Sequence, residues 1–112
     1  MDEKRQSKRV ATKVPVKYRL LDQSGELVNS GICTSVDLSD NGIQIVGPSV
    51  ANNQDRLILS VALPHQVFEV EGRVKWVKKL HYHRAAIGLE FGEVDSQSLT
   101  QLKEILAMID PE

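Results

Sequence analysis

The sequence predicts a mainly β fold, a six-stranded antiparallel barrel followed by one C-terminal α-helix. Six segments alternate apolar with polar residues at intervals of roughly ten residues, and turn residues separate them, as in small barrels. The last segment changes to the three- and four-residue period of an amphipathic helix. The chain has 112 residues, 41% of them hydrophobic and 26% charged, which fits one globular core. Periodicity alone fits other small barrels equally well.

The first three strands are predicted in the N-terminal half. The first begins at Val14, and Pro15 places it at the edge of a sheet or near a strand start, because proline lacks an N–H group. Residues 22–25 supply turn chemistry. The second strand leads into a polar step at residues 37–42, and the third ends at Gly47-Pro48. The apolar-face residues of these strands are Val14, Val16, Tyr18 and Leu20, then Ile32, Thr34, Val36 and Leu38, then Ile43 and Ile45.

The remaining three strands follow a polar loop at residues 52–55. Alternation places Trp76 on the core face of the fifth strand, beside Phe68, Val70 and Val74, and Gly72 within this strand predicts a bend or bulge. A basic loop at residues 78–84 leads into the sixth strand. The fourth and sixth strands present Leu57, Leu59, Val61 and Leu63, and then Ala85, Ile87, Leu89 and Phe91.

A helix is predicted after residue 95. Asp95 or Ser96 can cap its N-terminus, and Asp110-Pro111 stops it. One face carries apolar residues at helical spacing, namely Leu99, Leu102, Ile105, Leu106 and Ile109.

The N-terminal segment differs from the rest of the chain. Residues 1–12 are polar and show no apolar period, so they are predicted to form a flexible arm, with residues 13–112 as a single barrel domain. Seven of the 14 basic residues lie within the first nineteen positions, opposed there only by Asp2 and Glu3. An anionic partner for this segment is therefore expected.

Several function classes lack support in the sequence. No apolar run is long enough for a membrane span, so no membrane insertion is expected, and the first residues do not resemble a secretory signal. A single cysteine, Cys33, excludes an intramolecular disulfide and fits a cytoplasmic protein. His81 and His83 lack a nearby third ligand, so no metal and no cofactor are predicted. Without a phosphate loop or an activated nucleophile, an enzyme is not expected either.

Two short motifs carry the functional prediction. Arg5 and Arg9 form an R-x-x-x-R step, and guanidinium groups can grip phosphate oxygens and stack on bases. About thirty residues later, Asp37, Ser39 and Gly42 form a D-x-S-x-x-G step at the end of a strand. Taken alone, this second step is more typical of an ordinary turn, in which Asp and Ser satisfy backbone groups.

Together, in this order and ahead of a β-rich body, the two motifs resemble those of the PilZ domain, a bacterial receptor for cyclic di-GMP. The resemblance covers nearly the whole chain and implies a six-stranded barrel followed by a helix. It implies that Arg5 and Arg9 hold the ligand's phosphates or stack on its bases. Asp37 would accept hydrogen bonds from the N1–H and N2–H groups of guanine. Ser39 would bond the ligand or hold the loop, and Gly42 would allow close backbone approach.

The resemblance also suggests additional residues. Lys4 and Lys8 would add positive charge beside the phosphates, and Trp76 resembles a tryptophan at the ligand-facing end of the matching strand, although alternation favours the core for it. The strand around Gly88 and Phe91 looks like the family's late G-x-x-F strand, where both residues are mainly structural.

The predicted function is therefore a cyclic di-GMP receptor whose arm becomes ordered on binding and which signals in trans to a protein partner of unknown identity. The alternative is a small barrel that binds single-stranded nucleic acid through the basic arm. With only 4% aromatic residues, the chain offers few stacking groups, so no nucleic acid is expected. A third possibility is a PilZ-like scaffold that binds only protein, but such members generally lack both intact motifs.

Overall fold

A computed structural model describes residues 9–109 of the chain. These residues form seven strands and one helix. The elements are β1 (Val10–Ala11), β2 (Pro15–Leu21), β3 (Leu27–Leu38), β4 (Gly42–Pro48), β5 (Arg56–Leu63), β6 (Gln66–Lys79), β7 (Arg84–Phe91) and α1 (Ser96–Ile109).

Six of the strands close into an antiparallel barrel, which confirms the predicted fold class. They follow the order β3-β2-β5-β6-β7-β4, and the pairing of β3 with β4 completes the ring. Inward-facing side chains of all six strands fill one core, in which the rings of Phe68 and Phe91 meet edge to face at 5.9 Å. The helix adds Leu102, Ile105 and Leu106 to the same core. Closure leaves one outer surface on which residues from distant parts of the chain become neighbours.

The short strand β1 ties the base of the predicted arm to the barrel. It pairs with the last residues of β3, so that Val10 lies opposite Leu38, and only 3% of Val10 is exposed. Below it, the buried Ser35 hydroxyl accepts hydrogen bonds from the Thr12 hydroxyl (2.8 Å) and the Val14 N–H (3.0 Å). The sequence showed no anchor in residues 1–12 because one apolar residue creates no period. The chain from Val10 onward nevertheless belongs to the sheet.

Strand β3 departs from the predicted facing. Cys33 and Ser35 point into the barrel, whereas Ile32 is 64% exposed and Val36 is 38% exposed. A bulge between Ser35 and Asp37 then restores the inward position of Leu38. The prediction that Ile32, Thr34 and Val36 share the core face with Leu38 is therefore wrong. A bulge adds one residue to the strand and exchanges the two faces on either side of it.

A second bulge changes the prediction for β6. The irregularity lies between Val74 and Trp76, not at Gly72, which stays in regular register opposite Leu57 and Phe91. Val74 is fully buried, and Trp76 beyond the bulge is 42% exposed. The expectation from alternation that Trp76 faces the core is wrong, and its indole lies on the outer surface of the barrel.

The helix begins as predicted. The Asp95 carboxylate accepts a hydrogen bond from the Ser98 N–H at 2.7 Å, which makes Asp95 the N-cap and holds the pKa of its carboxyl below the usual range. Asp110-Pro111, the predicted stop, lies outside the described residues. Within residues 9–109, no helix has the length and apolar composition needed to cross a bilayer.

Candidate ligand-binding site

The loop between β3 and β4 is held by a buried hydroxyl. Ser39 is fully buried, and its Oγ donates to Asn41 Oδ1 at 2.8 Å and accepts from the Asn41 N–H at 3.3 Å. The Ser39 N–H donates to the Gly42 carbonyl at 2.9 Å, which closes the turn. Of the two roles expected for Ser39, holding the loop is the one that these contacts show.

Gly42 serves the packing of two strands. It lies opposite Glu90 on β7, and a Cβ atom at this position would stand 2.5 Å from the backbone carbonyl oxygen of Leu89. Its φ is not in the left-handed region, which among the described glycines only Gly25 occupies. Glycine is therefore required here because β7 approaches closely, and this approach fixes the end of the loop.

The two motifs meet at an ion pair. Arg9 donates from Nη1 to Asp37 Oδ1 at 2.6 Å, across 28 positions of sequence. The Arg9 side chain is 50% exposed and that of Asp37 is 22% exposed. The strand β1 produces this contact, because Ala11 pairs directly with Asp37 and Arg9 lies two residues further along the same face.

Asp37 begins a row of residues across the outer face of four strands. It pairs with Gln44 on β4, Gln44 pairs with Gly88 on β7, and Gly88 pairs with Trp76 on β6. Three strand spacings separate the ends of the row by about 14 Å. Asp37 and Trp76 therefore lie on the strands at opposite ends of one line across the outer surface, with Gln44 and Gly88 on the two strands between them.

Trp76 lies directly over Gly88. A Cβ atom on Gly88 would stand 2.1 Å from Trp76 Nε1 and 2.2 Å from Cε2, so only glycine leaves room for the ring in this position. A shallow pocket of about 220 Å³ opens between this indole and Arg9. Its lining consists of Arg9, Asn41, Gly42, Lys75, Trp76, Gly88, Leu89 and Glu90.

The charges around the pocket suit a ligand with phosphates and a polar base. Arg9 and Lys75 supply positive charge, and Lys75 Nζ forms an ion pair with Glu90 Oε1 at 3.5 Å. Asp37 offers a hydrogen-bond acceptor, and Trp76 offers a stacking surface. Such a set of groups can hold an anion and recognise a base edge. Among the described residues, no group of three metal-ligating side chains comes together.

The structure brings together part of the predicted site. Arg9, Asp37, Ser39, Gly42 and Trp76 lie along the outer face or in the loop that supports it. The predicted residues Lys4, Arg5 and Lys8 lie outside the described residues.

Among the residues that the sequence analysis missed are three polar side chains on strands. Gln44, Lys75 and Glu90 belong to the row or to the pocket lining, and no motif marks them. Their polar side chains on the outward positions of strands resemble any solvated face. Only the register of the closed barrel reveals them.

Comparison with protein families gives a match that covers almost the whole chain. The model of the PilZ domain matches residues 3–108. Among proteins with curated descriptions, none matches the sequence.

Solved structures share the fold at low sequence identity. The PilZ domain of YcgR from Escherichia coli with c-di-GMP has a TM-score of 0.72 at 14% identity, covering 97% of this chain and 93% of that one. MotI/DgrA, the inhibitor of motility of Bacillus subtilis, has a TM-score of 0.73 at 18% identity, covering 96% of this chain and 51% of that one. The MrkH–c-di-GMP complex of K. pneumonia has a TM-score of 0.69 at 16% identity, covering 96% and 53%. The chain thus spans about half the length of MotI/DgrA and MrkH. With the family model matched over residues 3–108, this chain belongs to the PilZ domain family.

Proposed function

We propose that this protein is a receptor for cyclic di-GMP, which binds to the outer face of the barrel between Arg9 and Trp76. The observation that carries the proposal is the meeting of the two motifs, because Arg9 and Asp37 are 28 positions apart and lie in direct contact. Two residues that the family pattern assigns to one ligand thus stand side by side. The YcgR PilZ domain and MrkH, which share the fold, have both been solved with c-di-GMP.

Each group has a distinct role in the proposal. Arg9 binds a phosphate through its planar guanidinium group. Asp37 accepts two hydrogen bonds from the N1–H and N2–H groups of guanine, a pair of donors that adenine lacks. Trp76 offers its indole to the second base or to the sugar–phosphate ring, and Lys75 adds positive charge. Ser39 and Gly42 fix the loop that follows Asp37 and so hold its carboxylate in place.

The Arg9–Asp37 ion pair preorganises the site without blocking it. Half of Arg9 is exposed, and exposed ion pairs contribute about 0–1 kcal/mol, so the ligand can exchange these contacts at low cost. Arg9 contacts one oxygen of the Asp37 carboxylate, and a carboxylate with about four acceptor sites can still accept two hydrogen bonds from a base edge.

The size of the pocket suggests that the N-terminal segment completes the site. Its volume of about 220 Å³ is below the range of about 300–1,000 Å³ typical of small-molecule sites. We assign the missing wall to Lys4, Arg5 and Lys8, which precede Arg9 in the chain. Micromolar affinity requires about −8 kcal/mol, and this exceeds what one or two exposed ion pairs supply. Several contacts from the arm and the barrel must therefore act together.

The proposed output is a change in the arm. In this proposal, cyclic di-GMP orders the segment that precedes Arg9 over the ligand, and a partner protein recognises the new surface in trans. The protein acts in the cytoplasm as a binding module, without a catalytic step. Amide hydrogen exchange tests the switch, because residues 2–9 should become protected only when cyclic di-GMP is added. Protection of these amides before ligand is added would contradict the switch.

Titration of tryptophan fluorescence tests the binding proposal directly. Trp76 is the single tryptophan, so its emission reports the site without a label. Cyclic di-GMP should change the emission at lower concentration than cyclic di-AMP or GMP, with a shallow dependence on salt. The alternative, binding of single-stranded nucleic acid, predicts no preference for cyclic di-GMP and a steep salt dependence. An emission that does not respond to cyclic di-GMP, with no binding by dialysis, would contradict the proposal.

A further inference from the structure

The tip of the β6–β7 hairpin, residues 78–84, exposes apolar and aromatic side chains. All residues from Lys78 to Arg84 are exposed. Tyr82 is 91% exposed, and Leu80 is 42% exposed. The indole of Trp76 lies four residues before Leu80, about 13 Å back along the strand. These three residues are a third of the nine large exposed hydrophobic residues in the described chain.

The tip holds its tyrosine in an unusual backbone conformation. Tyr82 and His83 have φ values of 60° and 62°, in the left-handed region where hairpins normally use glycine or asparagine. Backbone bonds fix this geometry, from the Leu80 N–H to the Arg84 carbonyl at 2.8 Å and from the Ser49 N–H to the His83 carbonyl at 2.8 Å. Strained positions of this kind cluster at binding surfaces. The tip therefore holds the backbone around Tyr82 in one conformation and leaves the tyrosine side chain in solvent.

Positive charge surrounds the tip. Lys78 and Lys79 precede it, and Arg84 follows it. Among residues 9–109, no carboxylate lies within 4.0 Å of these three cations. Leucine and tyrosine at the apex, with cations set back on both strands, match the layers of an anionic bilayer surface. There aromatic rings lie at the interface, and lysine and arginine meet acidic headgroups.

We propose that the hairpin tip, residues 78–84, docks this protein onto the surface of a membrane rich in anionic lipids. Leu80 and Tyr82 enter the interface, and Lys78, Lys79 and Arg84 bind headgroup phosphates. This is adsorption without a spanning segment. Single-stranded nucleic acid could stack on Tyr82 but would leave the exposed Leu80 without an apolar partner, which a bilayer interface supplies. Docking at the tip leaves the row from Asp37 to Trp76 on the flank of the barrel, so the two binding events can be measured separately.

Vesicle sedimentation with the full chain tests the proposal. The protein should bind vesicles made of equal parts phosphatidylcholine and phosphatidylglycerol, bind phosphatidylcholine alone weakly, and dissociate as salt rises. Lys79→Gln should weaken binding about fivefold, the effect of one cation near the surface. Leu80→Ser combined with Tyr82→Ser should weaken it further. Circular dichroism confirms that each variant is folded.

Matched controls separate the tip from general effects. Lys17→Gln removes an exposed cation from β2, and Val67→Ser removes an apolar side chain that is 64% exposed at the other end of β6. Both should bind vesicles like the unaltered chain. Absence of vesicle binding at low salt, or equal losses in tip and control variants, would overturn the proposal. So would tip variants that lose affinity for a single-stranded oligonucleotide and keep their affinity for vesicles. Cyclic di-GMP titrations of the same variants report the proposed receptor function independently.

Discussion

Replacing Asp37 with alanine should reduce ligand affinity far more than stability. Among residues 9–109, the charged group that its carboxylate contacts is Arg9, and the side chains of Asp37 and Arg9 are 22% and 50% exposed. An ion pair with this exposure contributes about 0–1 kcal/mol to folding. The free energy of unfolding of Asp37→Ala should therefore fall by less than about 1 kcal/mol.

The loss of affinity follows from the proposed contact with guanine. A recognition contact of this type is worth about 1–3 kcal/mol, which weakens binding about 5- to 150-fold. The preference for cyclic di-GMP over cyclic di-AMP should fall by a similar factor, because the carboxylate distinguishes guanine from adenine. Attraction of phosphate by Arg9 should remain, so residual binding becomes less selective.

Urea unfolding and titrations of Trp76 emission measure the two effects in the same samples. Asp40→Asn is the matched control, because Asp40 lies in the loop that follows β3 and faces Lys103 of the helix at 3.9 Å. It should keep both affinity and nucleotide preference. An Asp37→Ala variant with unchanged affinity and preference would show that Asp37 does not contact the base. A stability loss of several kcal/mol would show that its role is structural.

Three further substitutions test the geometry of the site and the core. Gly88→Ala should displace the Trp76 indole, because the new Cβ would stand 2.1 Å from it. The tryptophan emission should shift, and ligand binding should weaken by about 1–3 kcal/mol. Unchanged emission would contradict the stacking arrangement. Gly42→Ala should lower the free energy of unfolding by about 1–3 kcal/mol in urea titrations. The new Cβ would stand 2.5 Å from the Leu89 carbonyl oxygen, which cannot move away freely because it belongs to a paired strand. A variant as stable as the unaltered chain would refute this. Burial raises the pKa of Cys33 from 9.0 to about 12, so its contribution to stability is complete below pH 9 and is lost as pH rises toward 12. At pH 10 the loss should be about 1 kcal/mol relative to Cys33→Ala, and parallel pH profiles of the two proteins would contradict it.

The sequence predicted the architecture because half-buried strands require alternation. Each strand of the barrel displays it, and the change of period at residue 95 marks the helix. The bulges at Val36 and Lys75 were not predicted, because no residue type at these positions marks an inserted residue. Their consequence is large, since the second bulge moves Trp76 from the predicted core to the outer surface of the barrel.

The motifs located the site but did not assign its atoms. Asp37 and Arg9 stand together, as the family pattern implies, while Ser39 is buried in the loop. Gln44 and Gly88 join Asp37 only through the register of neighbouring strands, across separations that no local pattern spans. The sequence motifs mark the polar loop after β3, whereas closure of the barrel determines which side chains lie together on its outer face.

Calorimetric titration with cyclic di-GMP tests the central claim most directly, because it reports affinity and stoichiometry together. The full chain should bind with a dissociation constant in the micromolar range or below, near −8 kcal/mol or stronger. Arg9→Ala and Arg5→Ala should each lose most of this affinity while remaining folded. The account would be contradicted by a folded protein that binds neither cyclic di-GMP nor a fluorescent analogue. It would also be contradicted if the variant with both arginines replaced bound as well as the unaltered chain.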